Sequence, residues 1–337
     1  MKKPFQRAET DHTQKIRRWF QVAFFLLNAW IGVQFYLFVR YYETGGGFGV
    51  TSRPPGVEGW LPIASLMNLK VWAYSGELPA VHPAGVFLLI AFLAISWLLR
   101  KSFCSWLCPV GTLSQYVAKA GWKLFGKRVA LPRWADLTLR SLKYVLMALF
   151  LYVIAIMSVE EIRVFLGGPY GMVADVKMLN FFRELSLVGA IVMAALVGLS
   201  MFIVNFWCRY LCPYGALMGL LGLLSPLRIK RVPSLCIDCG KCARACPSSL
   251  AVDKLVTIGS AECTSCLSCV ASCPVENALY MSVASRRKMP AWAMACGIAV
   301  IFFGLVGYAK MTGHWETLLP QTTYMNLVPR ANEFQHP

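Results

Sequence analysis

The chain has 337 residues, of which 57% are hydrophobic and 15% charged, and its net charge is +17. A soluble domain is nearer half apolar and a quarter charged, so this composition and a mean hydropathy of +0.55 indicate a membrane protein. The basic excess flanks apolar spans, which makes it a topology signal and excludes a nucleic-acid partner; thirteen cysteines in a long apolar chain favour metal ligation over a disulfide scaffold.

In chain order, residues 1–18 form a cytoplasmic tail, and residues 19–39 form the first apolar span. That span runs past twenty residues with no small-residue cleavage site behind it, so it reads as a permanent helix. Its polar Gln21, Asn28 and Gln34 are expected to face protein rather than lipid. Further spans lie at residues 84–99, 144–159, 185–207 and 291–309. The second and third are short for the roughly 17–25 residues that cross a bilayer. They are expected to borrow flanking residues, with Arg100 and Lys101 snorkelling while the helix runs on toward Cys104. Residues 214–225 are apolar, short and Gly-containing, an interfacial or re-entrant segment.

Lys and Arg number six, nine and ten in residues 1–18, 100–143 and 208–290. The alternate segments 41–83, 160–184 and 310–337 hold two, three and two. This alternation predicts five transmembrane helices, with the N-terminus inside and the C-terminal tail, 310–337, outside. The chain also repeats: FCSWLCPVG at 103–111 matches WCRYLCPYG at 207–215, and residues 63–70 faintly echo 173–180. The predicted fold class is therefore mostly α. It is a polytopic helical membrane protein with a duplicated two-helix unit within 19–225, a cytoplasmic ferredoxin-like insert at 226–288 and a fifth helix at 289–309.

Two runs within the insert follow C-x2-C-x2-C-x3-C-P. The first is Cys236, Cys239, Cys242 and Cys246; the second is Cys263, Cys266, Cys269 and Cys273. In this bacterial two-cluster pattern the fourth cysteine of each run ligates the other cluster. Cluster 1 would take Cys236, Cys239, Cys242 and Cys273, and cluster 2 would take Cys263, Cys266, Cys269 and Cys246. Two intervening residues let a tight loop turn three thiolates onto one cubane, and the x3-C-P end is expected to begin a short helix that carries its sulfur to the neighbour. Small residues such as Gly240, Ala243, Ser265 and Ser268 let backbone N–H groups approach the sulfurs. Zinc knuckles use two C-x2-C halves, often with His, and fit this double register poorly.

Cys104 and Cys108, and likewise Cys208 and Cys212, are four apart, a spacing that puts both thiols on one face of a helix before Pro109 or Pro213. They are candidates for a further metal site, a redox dithiol or ligands of copper in transit, against the plainer role of packing duplicated helix ends. Cys296, alone in the fifth span, reads as a buried packing residue. The four His stand at 12, 82, 314 and 336, with no pair inside one span, so a bis-His haem is not expected. His82 and His314 flank the outer ends of spans two and five and are candidate quinone ligands, although a lone interfacial His is more often simply solvated.

The two CxxxCP motifs followed by the double cluster motif resemble the membrane-bound polyferredoxins. That group includes NapH-type quinol dehydrogenase subunits, the membrane half of NosR-type regulators of nitrous oxide reduction, and CcoG/FixG-type oxidase assembly proteins. The resemblance runs from about Arg53 to Met281 and includes the loop Arg53-Pro-Pro-Gly-Val-Glu-Gly59. The chain departs from the NosR type in leaving no room for a flavin-bearing outer domain, and from the CcoG type in having 28 residues after Ala309. It departs from the NapH type in the fifth span and the tail Gly313-His-Trp-Glu316. The resemblance implies electron transfer at the bacterial inner membrane through two [4Fe–4S] clusters, with quinone and a redox partner protein at the two ends. A quinol dehydrogenase or electron-transfer subunit is the implied class. Its rivals are a maturation factor that reduces copper for an oxidase or reductase, and an anchoring subunit of a larger redox complex.

Overall fold

A computed structural model describes residues 12–47, 49, 51–126, 129, 131–284 and 287–336, so most of the tail 1–18 lies outside the described residues. The elements in chain order are α1 (Thr13–Glu43), α2 (Pro62–Ser75), α3 (Pro83–Leu98), α4 (Phe103–Trp106), α5 (Pro109–Phe125), α6 (Arg133–Ile156), α7 (Val159–Gly167), α8 (Pro169–Met172), α9 (Ala174–Arg183), α10 (Leu187–Phe202), α11 (Pro213–Leu223), β1 (Leu227–Arg231), α12 (Lys241–Arg244), β2 (Thr257–Ile258), α13 (Ser268–Ala271), β3 (Leu279–Val283), β4 (Arg287–Lys288), α14 (Ala291–Met311) and α15 (Gln321–Leu327). A π-helical turn at Trp207–Leu211 separates α10 from α11. Proline opens α2, α5 and α11, where its missing N–H costs nothing. Gly76 and Gly126, both at positive φ, close α2 and α5.

By length and composition, α1, α6 and residues Trp292–Met311 of α14 can each cross a membrane. The pair α9 and α10, bent by 82° at its break, makes a fourth span if counted as one. The second expected span, α3, is a shorter apolar helix of 16 residues, as is α11 at 11. The third expected span starts earlier than its apolar run, at Arg133, because α6 satisfies its charges inside the protein: Asp136 pairs with Arg140 and Arg209, and Lys143 with Glu262.

Two compact units emerge, Met1–Phe25 with Phe92–Met147 and Ala194–Ile301, and Leu26–Ala91 with Ala148–Met193 and Phe302–Pro337. The first holds every cysteine motif. Within it β1–β4 form an antiparallel sheet in the order β2-β1-β3-β4, with Ile229 opposite both Ile258 and Met281. The short link expected after α11 is thus itself a strand. Leu227, Ile229, Ile258 and Met281 are buried, giving the sheet a small apolar face. In the second unit, Phe35, Phe38, Val39 and Tyr42 of α1 pack with Val173, Val176, Tyr324 and Val328. A separate cluster joins Met67 and Val71 to Ile154, Ile162 and Leu166. There Lys70 Nζ donates to the carbonyls of Ile154, Ala155 and Met157, satisfying the open end of α6.

Two expectations are corrected. Arg100 and Lys101 do not snorkel: both take positive φ (55° and 47°), ending α3 and turning the side chains inward, where they are 1% and 3% exposed. Arg100 donates to the carbonyls of Leu227 and Ser260, at 3.1 and 3.0 Å, and Lys101 to that of Ala261 at 3.3 Å. Carbonyls of the ferredoxin segment replace the water that snorkelling would have sought. Cys296 is exposed, not buried in packing. The polar residues of α1 do find protein partners: Gln21 donates to Ser105 O, Asn28 accepts from the Trp60 indole and Gln34 donates to Ser52 O.

Candidate iron–sulfur and thiol centres

The two cysteine runs of the ferredoxin segment share one backbone design. Asp238 and Gly240 have positive φ in the first, and Ser265 and Leu267 have it in the second, at the same offsets from the leading cysteine. Each run therefore curls twice at matching points, which gathers its first three thiols. The short helices come earlier than expected: α12 contains Cys242 and α13 contains Cys269, so each carries the third thiol and delivers the fourth beyond its end. Cys246, Cys263 and Cys266 all lie within electrostatic reach of Cys269. Cys236, Cys239, Cys242 and Cys273 line one small cavity, which joins the fourth cysteine of one run to three of the other.

The two sets differ in exposure. Cys263, Cys266 and Cys269 are buried, whereas Cys236, Cys239, Cys242 and Cys273 are each partly exposed. Burial pushes the Cys246 thiol up to about 11 and raises Cys269 as well. Such thiols ionise when metal binding supplies the driving force. Among the described residues, no three His, Cys, Asp or Glu side chains close on a single ion. A tetrahedral zinc ion would hold its sulfurs about 3.8 Å apart, from bonds of ~2.3 Å. A multi-iron cluster holds its thiolates wider, and four thiols around a shared cavity suit it.

The CxxxCP pairs are built alike but not on continuous helices. Cys104 lies in α4 and Cys108 is the N-cap of α5; Cys208 lies in the π-helical turn and Cys212 is the N-cap of α11. The chain breaks just before each second cysteine, so the single helix face expected from the spacing is replaced by a turn and a cap. At Cys212, Sγ accepts the Gly215 N–H at 3.2 Å. At the equivalent Gly111 a Cβ would stand 2.3 Å from Cys104 O, so only glycine lets the cap fold back this closely. The two copies meet: the Phe103 ring is edge-on to Tyr214 at 6.0 Å, and Cys208 lies within electrostatic reach of Cys212, Cys108 and Cys104. Burial pushes Cys104 up to about 11 and Cys108 to about 12, the latter against backbone N–H groups of Gly111 and Val110 that favour its thiolate.

Both copies lean on the ferredoxin segment, the first on the loop of the buried cysteines and the second just after Cys246. Between Cys104 and Cys108, Ser105 Oγ donates to Thr264 O at 2.6 Å and the Trp106 indole donates to Ser265 O at 3.2 Å. Between Cys208 and Cys212, Arg209 donates to Ser249 Oγ at 3.0 Å. Beside them Lys143, fully buried, donates to both oxygens of Glu262 at 2.7 Å, with Tyr144 adding a third bond and Lys101 standing 3.9 Å away. Burial alone would raise Glu262, but Lys101 and Lys143 hold it below the ordinary carboxylate value. Sequence reasoning missed Lys143 and Glu262; a lysine at the edge of an apolar span and an acid directly before Cys263 were the available signals.

The two candidate histidines, His82 and His314, belong to the second unit. His82 is buried, its Nε2 at 2.9 Å from Gly171 O and its Nδ1 at 3.1 Å from Arg53 Nη2. Arg53 bonds Glu58 at 2.6 Å and Asp175 at 2.7 Å, a charged knot that the sequence reading passed over. His314 is exposed, with its ring 6.3 Å from Phe87.

A family model described as a 4Fe-4S binding domain matches the chain twice, at residues 81–132 and 185–231, and one described as a 4Fe-4S dicluster domain matches 228–274. YccM of Escherichia coli, named for electron transport, is 47% identical over 322 residues, covering 94% of this chain and 90% of its own. The ferredoxin-type protein NapH of Escherichia coli is 27% identical over 63% of this chain and 71% of its own. The regulatory protein NosR of Stutzerimonas stutzeri is 30% identical over 67% of this chain and 31% of its own. No solved structure matches.

Proposed function

Because the chain belongs to the polyferredoxin-like group of membrane iron–sulfur proteins, we propose that it relays electrons between the quinone pool and a respiratory partner protein. Two [4Fe–4S] clusters would do this, the first on Cys236, Cys239, Cys242 and Cys273, the second on Cys263, Cys266, Cys269 and Cys246. The observation that carries the reading is the cavity lined by cysteines of both runs, which is what crossed ligation in a two-cluster ferredoxin would require. When bound, the clusters supply one-electron transfer; the protein's part is to hold them and to set their surroundings.

The second ring is wrapped by the CxxxCP turns through Ser105, Trp106 and Arg209, which suits a position facing the membrane part. The first ring is partly open to solvent, which suits a protein partner. The Lys/Arg alternation supports five spans with both rings on the cytoplasmic side of the inner membrane. His314, exposed, remains the candidate quinone contact, whereas both ring nitrogens of His82 have protein partners.

Cys236→Ala and Cys273→Ala, one in each run, should abolish the same electron paramagnetic resonance signal and leave the other. Loss of different signals would refute crossed ligation. Inverted membrane vesicles given a quinol should reduce both clusters, and intact clusters that stay oxidised would rule out the quinone.

A further inference from the structure

The four CxxxCP thiols are unexplained by two ferredoxin clusters, and their surroundings have the character of a third anionic centre. Each stretch matched by the 4Fe-4S binding domain model contains only two cysteines, Cys104 and Cys108 in one, Cys208 and Cys212 in the other. Neither stretch alone can supply the four thiolates of a cluster. The fold removes that difficulty by bringing the copies together, Phe103 against Tyr214, with each thiol in electrostatic reach of thiols from the other copy.

We infer that Cys104, Cys108, Cys208 and Cys212 jointly hold one further iron–sulfur cluster, two ligands from each copy of the repeat. The inference rests on the electron-transfer reading and deepens it. Three observations carry it. First, two helix N-termini converge on the site: Cys108 caps the 17-residue α5 and Cys212 the 11-residue α11, each offering backbone N–H groups to sulfur. Such ends favour negative charge. Second, buried cations outnumber buried anions beside the thiols. Among the described residues Lys101 and Lys143 pair only with Glu262, a surplus of one positive charge that is costly without a counter-charge. An oxidised cluster with four thiolates carries about two negative charges and would supply it. Third, the copies pool four thiols within electrostatic reach of one another, the complement that an iron–sulfur cluster takes. A redox dithiol fits less well, because protonated, buried thiols are poor nucleophiles. On loading, four S–H bonds are exchanged for four Fe–S bonds and the protons leave to solvent.

The test is iron and acid-labile sulfide counting on the full chain, purified without oxygen in detergent. With three cubanes it should hold roughly 12 irons, and with a [2Fe–2S] third centre roughly 10; either supports the inference, and roughly 8 overturns it while leaving the two-cluster reading intact. Cys104→Ser and Cys212→Ser, from different copies, should each remove the same resonance signal and leave the two ferredoxin signals. Loss from only one copy's variants would overturn the shared site. A thiol-labelling control covers variants that do not fold. In wild-type protein all four cysteines should resist alkylation until the iron is chelated, and labelling of the loaded protein at these positions would sink the idea. Absence of the ferredoxin signals that Cys236→Ala and Cys263→Ala address would instead defeat the two-ring reading.

Discussion

Each unit buries a knot of charge, and the two knots are balanced differently. In the unit with the cysteines, Lys101 and Lys143 face Glu262, an excess of positive charge. In the other, Arg53 and His82 face Glu58 and Asp175, and against the pull of burial Glu58 holds the His82 imidazole above its ordinary value. Both carboxylates are met by backbone as well, because Gly85 N–H donates to Glu58 and Val176 N–H to Asp175. That knot is closed. It clamps the loop at Arg53 to the start of α9, 122 residues away. The positive excess is met only by the Ala261 carbonyl at Lys101, and lies beside four groups that can become anions. Buried net charge thus separates a structural clasp from a place prepared for something else.

The comparison breaks first at Arg53. Arg53→Ala leaves two buried carboxylates without their cation and should cost about 3–5 kcal/mol, read as a lower melting temperature with unchanged iron content. Arg53→Lys should recover only part, since one ammonium cannot reproduce the forked contacts. An Arg53→Ala chain that melts like the wild type would show the knot is not a clasp. On the other side, Lys143→Met removes a cation next to a centre that gains negative charge on reduction. The potential of the adjoining cluster should fall by several tens of millivolts, because a unit charge within about 10 Å at an effective dielectric of ~20 is worth about 1–2 kcal/mol. A redox titration followed by resonance spectroscopy checks this, and an unchanged potential would detach the knot from the cluster site.

Trp106→Phe deletes the bond to Ser265 O and should cost about 1 kcal/mol, seen as faster loss of the second ring's iron to a chelator while the first ring is unaffected. The smallest effect concerns acid. Glu262 is held below its ordinary value, so its stabilising contribution is present above about pH 4.3 and is lost as pH falls through the lower folded value. Glu262→Gln should flatten that acid limb in a plot of retained iron against pH. A limb as steep as in the wild type would assign the acid sensitivity to another carboxylate.

The two cysteine runs were legible because their motif is written within a dozen residues each, and the CxxxCP repeat because it is written twice. The charge knots were not. Asp175 is far from Arg53 in sequence, and Glu262 is 119 residues from Lys143, so only the fold reveals them. Arg53 and Glu58 did stand together in the loop that carried the family resemblance, an arginine and an acid five apart, yet nothing local said they were buried. Arg100 and Lys101 were misjudged for a related reason: hydropathy treats a cation at a helix end as water-seeking, whereas two left-handed residues in a row turn the chain and point both inward. The early start of α6 was hidden likewise, since its charges look like solvent until their partners are known.

The uneven cover of the two ferredoxin rings also fixes an order of damage. Every thiol of the first ring is partly exposed, while Cys263, Cys266 and Cys269 are closed off by the segment around them. Oxygen or peroxide arriving from solution would meet the first ring's cluster before the second. Under the two-cluster proposal, brief exposure to air should therefore remove the first ring's iron before the second's, closing the chain at its exposed end before electrons can leak there to oxygen.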